Sequence, residues 1–366
     1  MKKPHRYKTP KSRRDNKLAR RRLTSRIKRL IHRRFLASLS EEKREEIRIE
    51  NSLKQALKSY KTVHAPRELS MISNTEQTLE FISELENYFN KRKKVFVDLS
   101  HVRKLGNGAI LVLLSQMIKF KSNGIDFNGN FPKDNRCRKQ LKDSGFIPNL
   151  YEITCEEEDK YVIGKEGNKI YTHGQKNVNP ILSNDIISYT SERVWGTPQR
   201  CIGVQRALIE LMQNTNNHAA YNVTGEKHWW LCVDYDNSMN KVYFSFIDFG
   251  VGVFRSLENK QTDSKFYRVL EKLKNIYHYG DNAELLKLLL NGEVHKTASQ
   301  DYYRGKGLPG IVKEFHNNSM SNLTIITNEA IARLATQEYK VLKNPLNGTF
   351  VAWEIDNSNK HLPYIS

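Results

Sequence analysis

Arg206-Ala-Leu-Ile-Glu-Leu-Met-Gln-Asn-Thr-Asn-Asn-His-Ala219 reads as one helix with two unlike sides. At about 100° per residue, Leu208, Leu211, Met212, Thr215 and Ala219 gather on one side, and Glu210, Asn214 and Asn217 on the other. A carboxylate and a carboxamide four residues apart are neighbours on a helix surface, so Glu210 and Asn214 can converge on one metal ion, phosphate or water. An amphipathic helix whose polar side is merely wet gives the same pattern. The flanking sequence has to decide between them.

Downstream, Trp229-Trp-Leu-Cys-Val-Asp-Tyr and Lys241-Val-Tyr-Phe-Ser-Phe-Ile247 flank a polar turn and pair as a hairpin. The second strand runs into Asp248-Phe-Gly-Val-Gly252. An aspartate at a strand end followed by two glycines lets the backbone pass close to a flat ligand while the carboxylate accepts a hydrogen bond from an exocyclic amine such as that of adenine. Farther on, Arg304-Gly-Lys-Gly-Leu-Pro-Gly-Ile311 opens an apolar helical stretch, offering amides, a helix N-terminus and the charge of Lys306 to phosphates. Leu323-Thr-Ile-Ile-Thr, Asn347-Gly-Thr-Phe and Val351-Ala-Trp-Glu-Ile355 supply closing strands.

Each fragment alone is weak, but their order is not. Glu-x-x-x-Asn on a helix, Asp-x-Gly-x-Gly after a strand, Gly-x-Gly-Leu before a helix and Gly-Thr before a last strand resemble the N, G1, G2 and GT boxes of the GHKL ATPase superfamily. That superfamily holds gyrase B, the Hsp90 chaperones, MutL and the histidine kinases. The resemblance implies ATP and Mg²⁺ as ligands and a GHKL-type α/β sandwich, a mixed sheet with helices on one face, over 183–357. It implies that Asn214 ligates Mg²⁺ and that Asp248 binds the adenine amine. Gly250 and Gly252 would line the base, Gly305, Lys306, Gly307 and Leu308 would wrap the phosphates, and Thr349 would complete the base pocket. Glu210 stands where hydrolytic members keep the base that activates water. His218 follows it, with packing as plausible a role as phosphate contact. Residues 253–304 would form a long lid with helical stretches near Ser264–Ile276 and Ala283–Leu290. Asp248-Phe-Gly250 also copies the magnesium motif of eukaryotic-type kinases, but no His-Arg-Asp loop accompanies it, and no Walker A motif is present.

Upstream, 61–160 alternates helix and strand. A helix over Glu76–Phe89 leads to the strand Val95-Phe-Val-Asp-Leu-Ser100. The turn Leu105-Gly-Asn-Gly108, an apolar helix Ala109–Phe120, a short strand at Ile125–Phe127 and a helix ending near Asp143 follow. These runs resemble the STAS domain of anti-anti-sigma factors. Regulators of that type carry a phosphorylatable serine at the turn, where this chain has Gly106 and Asn107, so the resemblance implies a docking or structural module. Residues 161–182 read as a hairpin and linker, with the next helix starting at Ser183, and 358–366 as a tail.

The first 60 residues form a basic arm and helical stalk. From Met1 to Arg34 the only acid is Asp15, the footprint of a phosphate-binding segment that predicts nucleic acid as a partner. Leu23, Ile27, Leu30 and Ile31 have helical spacing, and Ser40 followed by Glu41 and Glu42 looks like the cap of a second helix through Tyr60. The 366-residue chain carries 60 Lys and Arg against 40 Asp and Glu, a net charge of +20 that is excessive for a plain metabolic enzyme. Cys137, Cys155, Cys201 and Cys232 lack zinc or redox spacing, and no apolar run reaches membrane-span length, so the expectation is a cytoplasmic protein.

Three functions fit this sequence. One is an ATP-hydrolysing switch in a bacterial regulatory or defence assembly, with a protein partner or a second copy docking through the STAS-like part or the lid. Another is a serine/threonine protein kinase of the anti-sigma type. The third is a nucleic-acid-binding module for which nucleotide is only a conformational ligand.

Overall fold

In the computed structural model the chain divides into two compact units, Met1–Tyr60 and Lys61–Ser366. The structure describes 61–144, 162–163, 169–175, 178–218, 228–250, 252–254, 281–292 and 307–360, with 17–18, 21–22, 24–26, 28, 40–41, 43 and 58–60 of the first unit. In that unit Lys17, Arg21, Arg22, Arg26 and Lys28 lie on exposed helical turns, and the Lys43 amide lies 3.5 Å from Ser40 Oγ, as a capping serine requires. Lys58–Tyr60 is a turn, so the second helix ends short of Tyr60.

The second unit is mixed α/β. Its first part comprises β1 (Lys61–His64), β2 (Glu68–Leu69), α1 (Thr75–Asn90), β3 (Val95–Asp98), β4 (Lys104–Leu105), α2 (Asn107–Ser122), β5 (Phe127–Gly129) and α3 (Asn135–Asp143). The strands form a parallel sheet ordered β1-β3-β5 and a small parallel pair β2-β4. β1 went unread in the sequence, because Lys-Thr-Val-His buries only Val63 and so shows no apolar run.

The second part continues with β6 (Val162–Ile163), β7 (Lys169–Gln175), α4 (Pro180–Trp195), α5 (Ile202–His218), β8 (His228–Asp236), β9 (Lys241–Asp248), α6 (Asn282–Leu290), α7 (Gly307–His316), β10 (Ser321–Arg333) and β11 (Glu338–Ile355). Its six strands make one sheet ordered β10-β11-β9-β8-β7-β6. Three expectations change here. Every pairing in this sheet is antiparallel rather than mixed: hairpins join β6 to β7, β8 to β9 and β10 to β11, and longer connections bring β7 to β8 and β9 to β11 in the same sense. The hairpin read within 161–182 is present as β6 and β7, but it joins the sheet, with β6 at its edge, instead of standing apart as a linker, and α4 begins earlier, at Pro180, where Asn179 caps it through the Leu182 amide. The expected closing fragments merge into two long strands, β10 and β11.

The sheet also has helices on both faces, not one. Trp229, Leu231, Val233, Phe244, Phe246, Val351 and Trp353 point to one side, where they share a core with α4, α5, α6 and α7. Phe244 stacks on its cross-strand partner Trp353 at 4.8 Å, and Trp229 on Phe246 at 5.7 Å. The alternate residues Trp230, Cys232, Ile247, Phe350 and Ala352 point the other way and share a core with α1, α2 and the parallel strands. Such two-sided burial follows from strand periodicity, because successive side chains take opposite faces. Helix α2 is buried nearly all round, from Gly108 to Met117 and at Phe120. Gly108 is obligatory in that layer, for a Cβ there would stand 2.5 Å from the Phe350 ring. Polar ties reinforce the contact: Asn107 Nδ2 donates to Asp234 Oδ2 at 2.6 Å, and Arg333 reaches the Ile72 carbonyl and the Thr75 hydroxyl. The parts read as 61–160 and 183–357 thus lie in one compact unit sharing a core.

At the C-terminal end, Asp356 caps a 3-10 turn at Asn357–Asn359, and Asn359 is buried against Asn318 and Ser321. Ordered packing therefore extends past 357 into the segment read as tail. Among the described residues no helix is long and apolar enough to cross a membrane.

Candidate functional site

Helix α5 keeps the predicted faces. Leu208, Leu211, Met212 and Thr215 are buried, joined by Val204 and Ala207, and the Thr215 hydroxyl donates back to the Leu211 carbonyl at 3.1 Å. Glu210 and Asn214 are half-buried, with no hydrogen-bond or ion-pair partner among the described residues. The side chains of Asn217 and His218, and Ala219, lie outside the described residues, as do Gly305, Lys306, 264–276 and Cys155.

Asn214 faces the start of α7. A Cβ on Gly307 would lie 3.1 Å from Asn214 Nδ2 and 3.3 Å from its Oδ1, so the carboxamide sits against the first turn of that helix. Leu308, the next residue, is buried in the core shared with Leu208, Leu211 and Met212. The two helices are fastened again at their other ends. Arg206 Nη1 lies 3.4 Å from Glu314 Oε1, Ser319 Oγ donates to Glu314 Oε2 at 3.2 Å, and a Cβ on Gly203 would collide with both Ser319 and Glu314. A buried carboxylate requires such partners. The clasp fixes α7 along α5, and with it the approach of Gly307 to Asn214.

A second cluster forms where β9 ends. Thr349, Asp248 and Trp229 are consecutive partners across β11, β9 and β8, on the sheet face that carries α5 and α7. Asp248 is buried, and its Oδ1 accepts from the amides of Gly250 at 3.0 Å and Thr349 at 3.2 Å. Burial pushes its carboxyl from the ordinary 3.8 up to about 6, against the pull of those amides and of the Thr349 hydroxyl. Gly348 permits this closeness: its φ is +129°, and a Cβ there would overlap the Asp248 carbonyl oxygen at 2.0 Å. Gly252, at φ +76°, leaves no room for a side chain beside Asn328.

Two residues that sequence reasoning missed hold this loop. Thr327 Oγ1 accepts from the Val253 amide at 3.0 Å and lies 3.3 Å from Thr349 Oγ1, while Asn328 Oδ1 accepts from the Phe254 amide at 3.0 Å. Both are fully buried. The pairing of β10 with β11 shifts register on either side of Asn328, which sits at φ +48°, a backbone region that asparagine tolerates. The signal was a Thr-Asn pair interrupting an apolar strand.

Thus Asp248, Gly250 and Thr349 come together at one cluster, and Asn214 with Gly307 at the other, both on the same side of the sheet. No protein-family model matches the chain, and no curated protein matches it. Any assignment of function therefore rests on the site. A buried carboxylate with its acceptor geometry fixed can select a hydrogen-bond donor on a flat ring. A carboxamide oxygen beside a helix N-terminus, with a carboxylate one turn away, can meet the anionic and metal-bound end of the same ligand.

Proposed function

We propose that the 61–366 unit is a GHKL-type ATPase that binds ATP with Mg²⁺ and uses the nucleotide as a switch. The observation that carries this reading is the pairing of the two clusters: the buried Asp248 locked by Gly250 and Thr349, and Asn214 set against the first turn of α7. Each cluster joins residues distant in sequence, and both lie on the same side of the sheet, which supports reading them as parts of one nucleotide site.

Asp248 accepts the exocyclic amine of adenine, and Gly252 and Gly348 let Asn328 and the Asp248 backbone pack closely beside it. The donor set suits Mg²⁺, which takes oxygen ligands and binds through one or two protein groups plus phosphates. Asn214 Oδ1 supplies the neutral oxygen, and the ion, when bound, neutralises charge on the phosphates. Gly307 opens α7 toward the same phosphates, where its amide and the helix dipole favour negative charge. Glu210, one turn before Asn214, takes a proton from the water that attacks the γ-phosphorus as the bond to the β-phosphate oxygen breaks and ADP leaves. The basic arm, exposed at Lys17, Arg21, Arg22, Arg26 and Lys28, contacts nucleic acid phosphates.

Titration of the full chain with ATP and GTP, with and without Mg²⁺, tests the reading. Phosphate release and mass spectrometry of the protein products accompany it. Mg²⁺-dependent binding that prefers ATP is expected, with release of inorganic phosphate. Failure to bind adenine nucleotides removes the proposal, and phosphate appearing on a protein instead of in solution turns it to a kinase.

A further inference from the structure

The carboxyl edge of the parallel sheet carries a cluster of cationic residues that shares no member with the arm or with the proposed nucleotide site. Because β1, β3 and β5 run parallel, the loops that follow them, 65–67, 99–103 and 130–134, emerge at one edge. Here backbone hydrogen bonds lace the loops into a fixed rim. The amides of Arg103 and Lys104 both donate to the Arg67 carbonyl, at 2.8 and 3.2 Å, Asn130 N donates to Val97 O at 3.1 Å, and Ala65 N to Asp98 O at 3.1 Å. Leu99 N donates to Asn130 Oδ1 at 2.7 Å, joining the second loop to the third.

The rim is cationic. Arg67, His101, Arg103 and Lys133 are exposed, and none of them forms an ion pair among the described residues. Of the acids close by, Asp98 is saturated. It accepts from the Ser100 amide at 3.0 Å and from Asn130 Nδ2 at 2.7 Å, and it faces His64 Nδ1 at 3.1 Å, leaving that imidazole 70% exposed. Asp134 is spent capping α3 through the Cys137 amide, and Glu68 pairs with Lys104 at 3.7 Å. Phe131, 39% exposed, stands in the third loop among these charges. Exposed cations on loops tied to one another, with an exposed ring in one of those loops, suit a ligand that carries phosphates and flat bases together.

We propose that this rim binds single-stranded nucleic acid, with Arg67, Arg103 and Lys133 on the backbone phosphates and Phe131 stacked on a base. The proposal does not depend on the ATP reading, since none of these residues belongs to the nucleotide site.

The test uses the full chain and a fluorescent single-stranded oligonucleotide, its anisotropy followed over a range of salt. Combined Arg67→Glu, Arg103→Glu and Lys133→Glu should weaken binding about tenfold or more. It should also flatten the log-log salt dependence by about 2, at roughly 0.7 per lost phosphate contact. Phe131→Ala should weaken single-strand binding about tenfold while leaving a duplex of the same sequence nearly unchanged. The neutral set Arg67→Gln, Arg103→Gln and Lys133→Gln should give a smaller loss in the same direction, which covers a charge reversal that fails to fold. Unchanged affinity and slope in the glutamine set would assign all binding to the arm and overturn the proposal. Binding only to anionic vesicles, with no binding to oligonucleotide, would overturn it as well.

Discussion

Under the proposed function Asp248 makes opposite demands on stability and on recognition, and Asp248→Asn separates them. Folding carries this carboxyl from 3.8 up to about 6, chiefly by burial. At about 1.4 kcal/mol per pKa unit, the ionised group destabilises the unliganded fold by about 3 kcal/mol at neutral pH. The sign follows from proton counts. Between the unfolded and folded values the native state holds the extra proton, so stability is highest at low pH and falls as pH rises through about 6. Asparagine keeps an oxygen for the Gly250 and Thr349 amides but carries no charge. The variant should therefore exceed the wild type by about 3 kcal/mol near pH 7.5 and by only about 0.5 kcal/mol near pH 4. Urea unfolding of both proteins across that range, without nucleotide, measures the difference. The same variant should lose preference for ATP over GTP, because a donor replaces part of the acceptor. A stability difference that stays constant with pH would refute the argument, as it would mean that Asp248 ionises in the fold as freely as it does in water.

Asn214→Ala should abolish the Mg²⁺ dependence of nucleotide binding, whereas Glu210→Ala should still bind but turn over roughly 10²-fold more slowly; titration and phosphate release distinguish them. Gly108→Ala should destabilise the 61–366 unit by about 1–3 kcal/mol, read by thermal or urea unfolding, because its Cβ would press on the Phe350 ring. Deleting 1–34 should reduce the salt slope of nucleic acid binding by about 0.7–0.9 per lost contact and leave ATP affinity intact; an unchanged slope would count against the arm.

Much of the site was legible because its signals are local. The packing face of α5 follows from 3.6-residue spacing, and the aspartate and glycines after β9 stand together in sequence. What could not be read is tertiary. Thr327 and Asn328 matter through a register shift that places them over residues 252–254; the polar pair in an apolar strand marks an irregularity there but does not say which segment it meets. Gly108 read as part of a turn, yet its lack of a side chain serves a close approach to Phe350, distant in sequence. The run Ala109–Leu114, with Met117 and Phe120, did carry a warning, since a helix apolar on every side must be covered on every side. It did not say by what. The second face of the antiparallel sheet is the answer, and it is also why the sheet lacks the single helical face that the sequence suggested.

Strand β11 gives its residue numbering a meaning of its own. Val351 and Trp353 belong to the core under α4–α7, on the face where Thr349 meets Asp248, while Phe350 and Ala352 belong to the buried layer opposite. Odd and even positions of one strand thus belong to two different compartments. A slip of a single residue would push a phenyl ring toward Asp248 and sink a hydroxyl in a dry core. Parity is therefore a structural requirement of this strand. Single-residue insertions or deletions between Gly348 and Ile355 should disable nucleotide binding and folding together, whereas a two-residue change would at least keep each side chain in its own compartment.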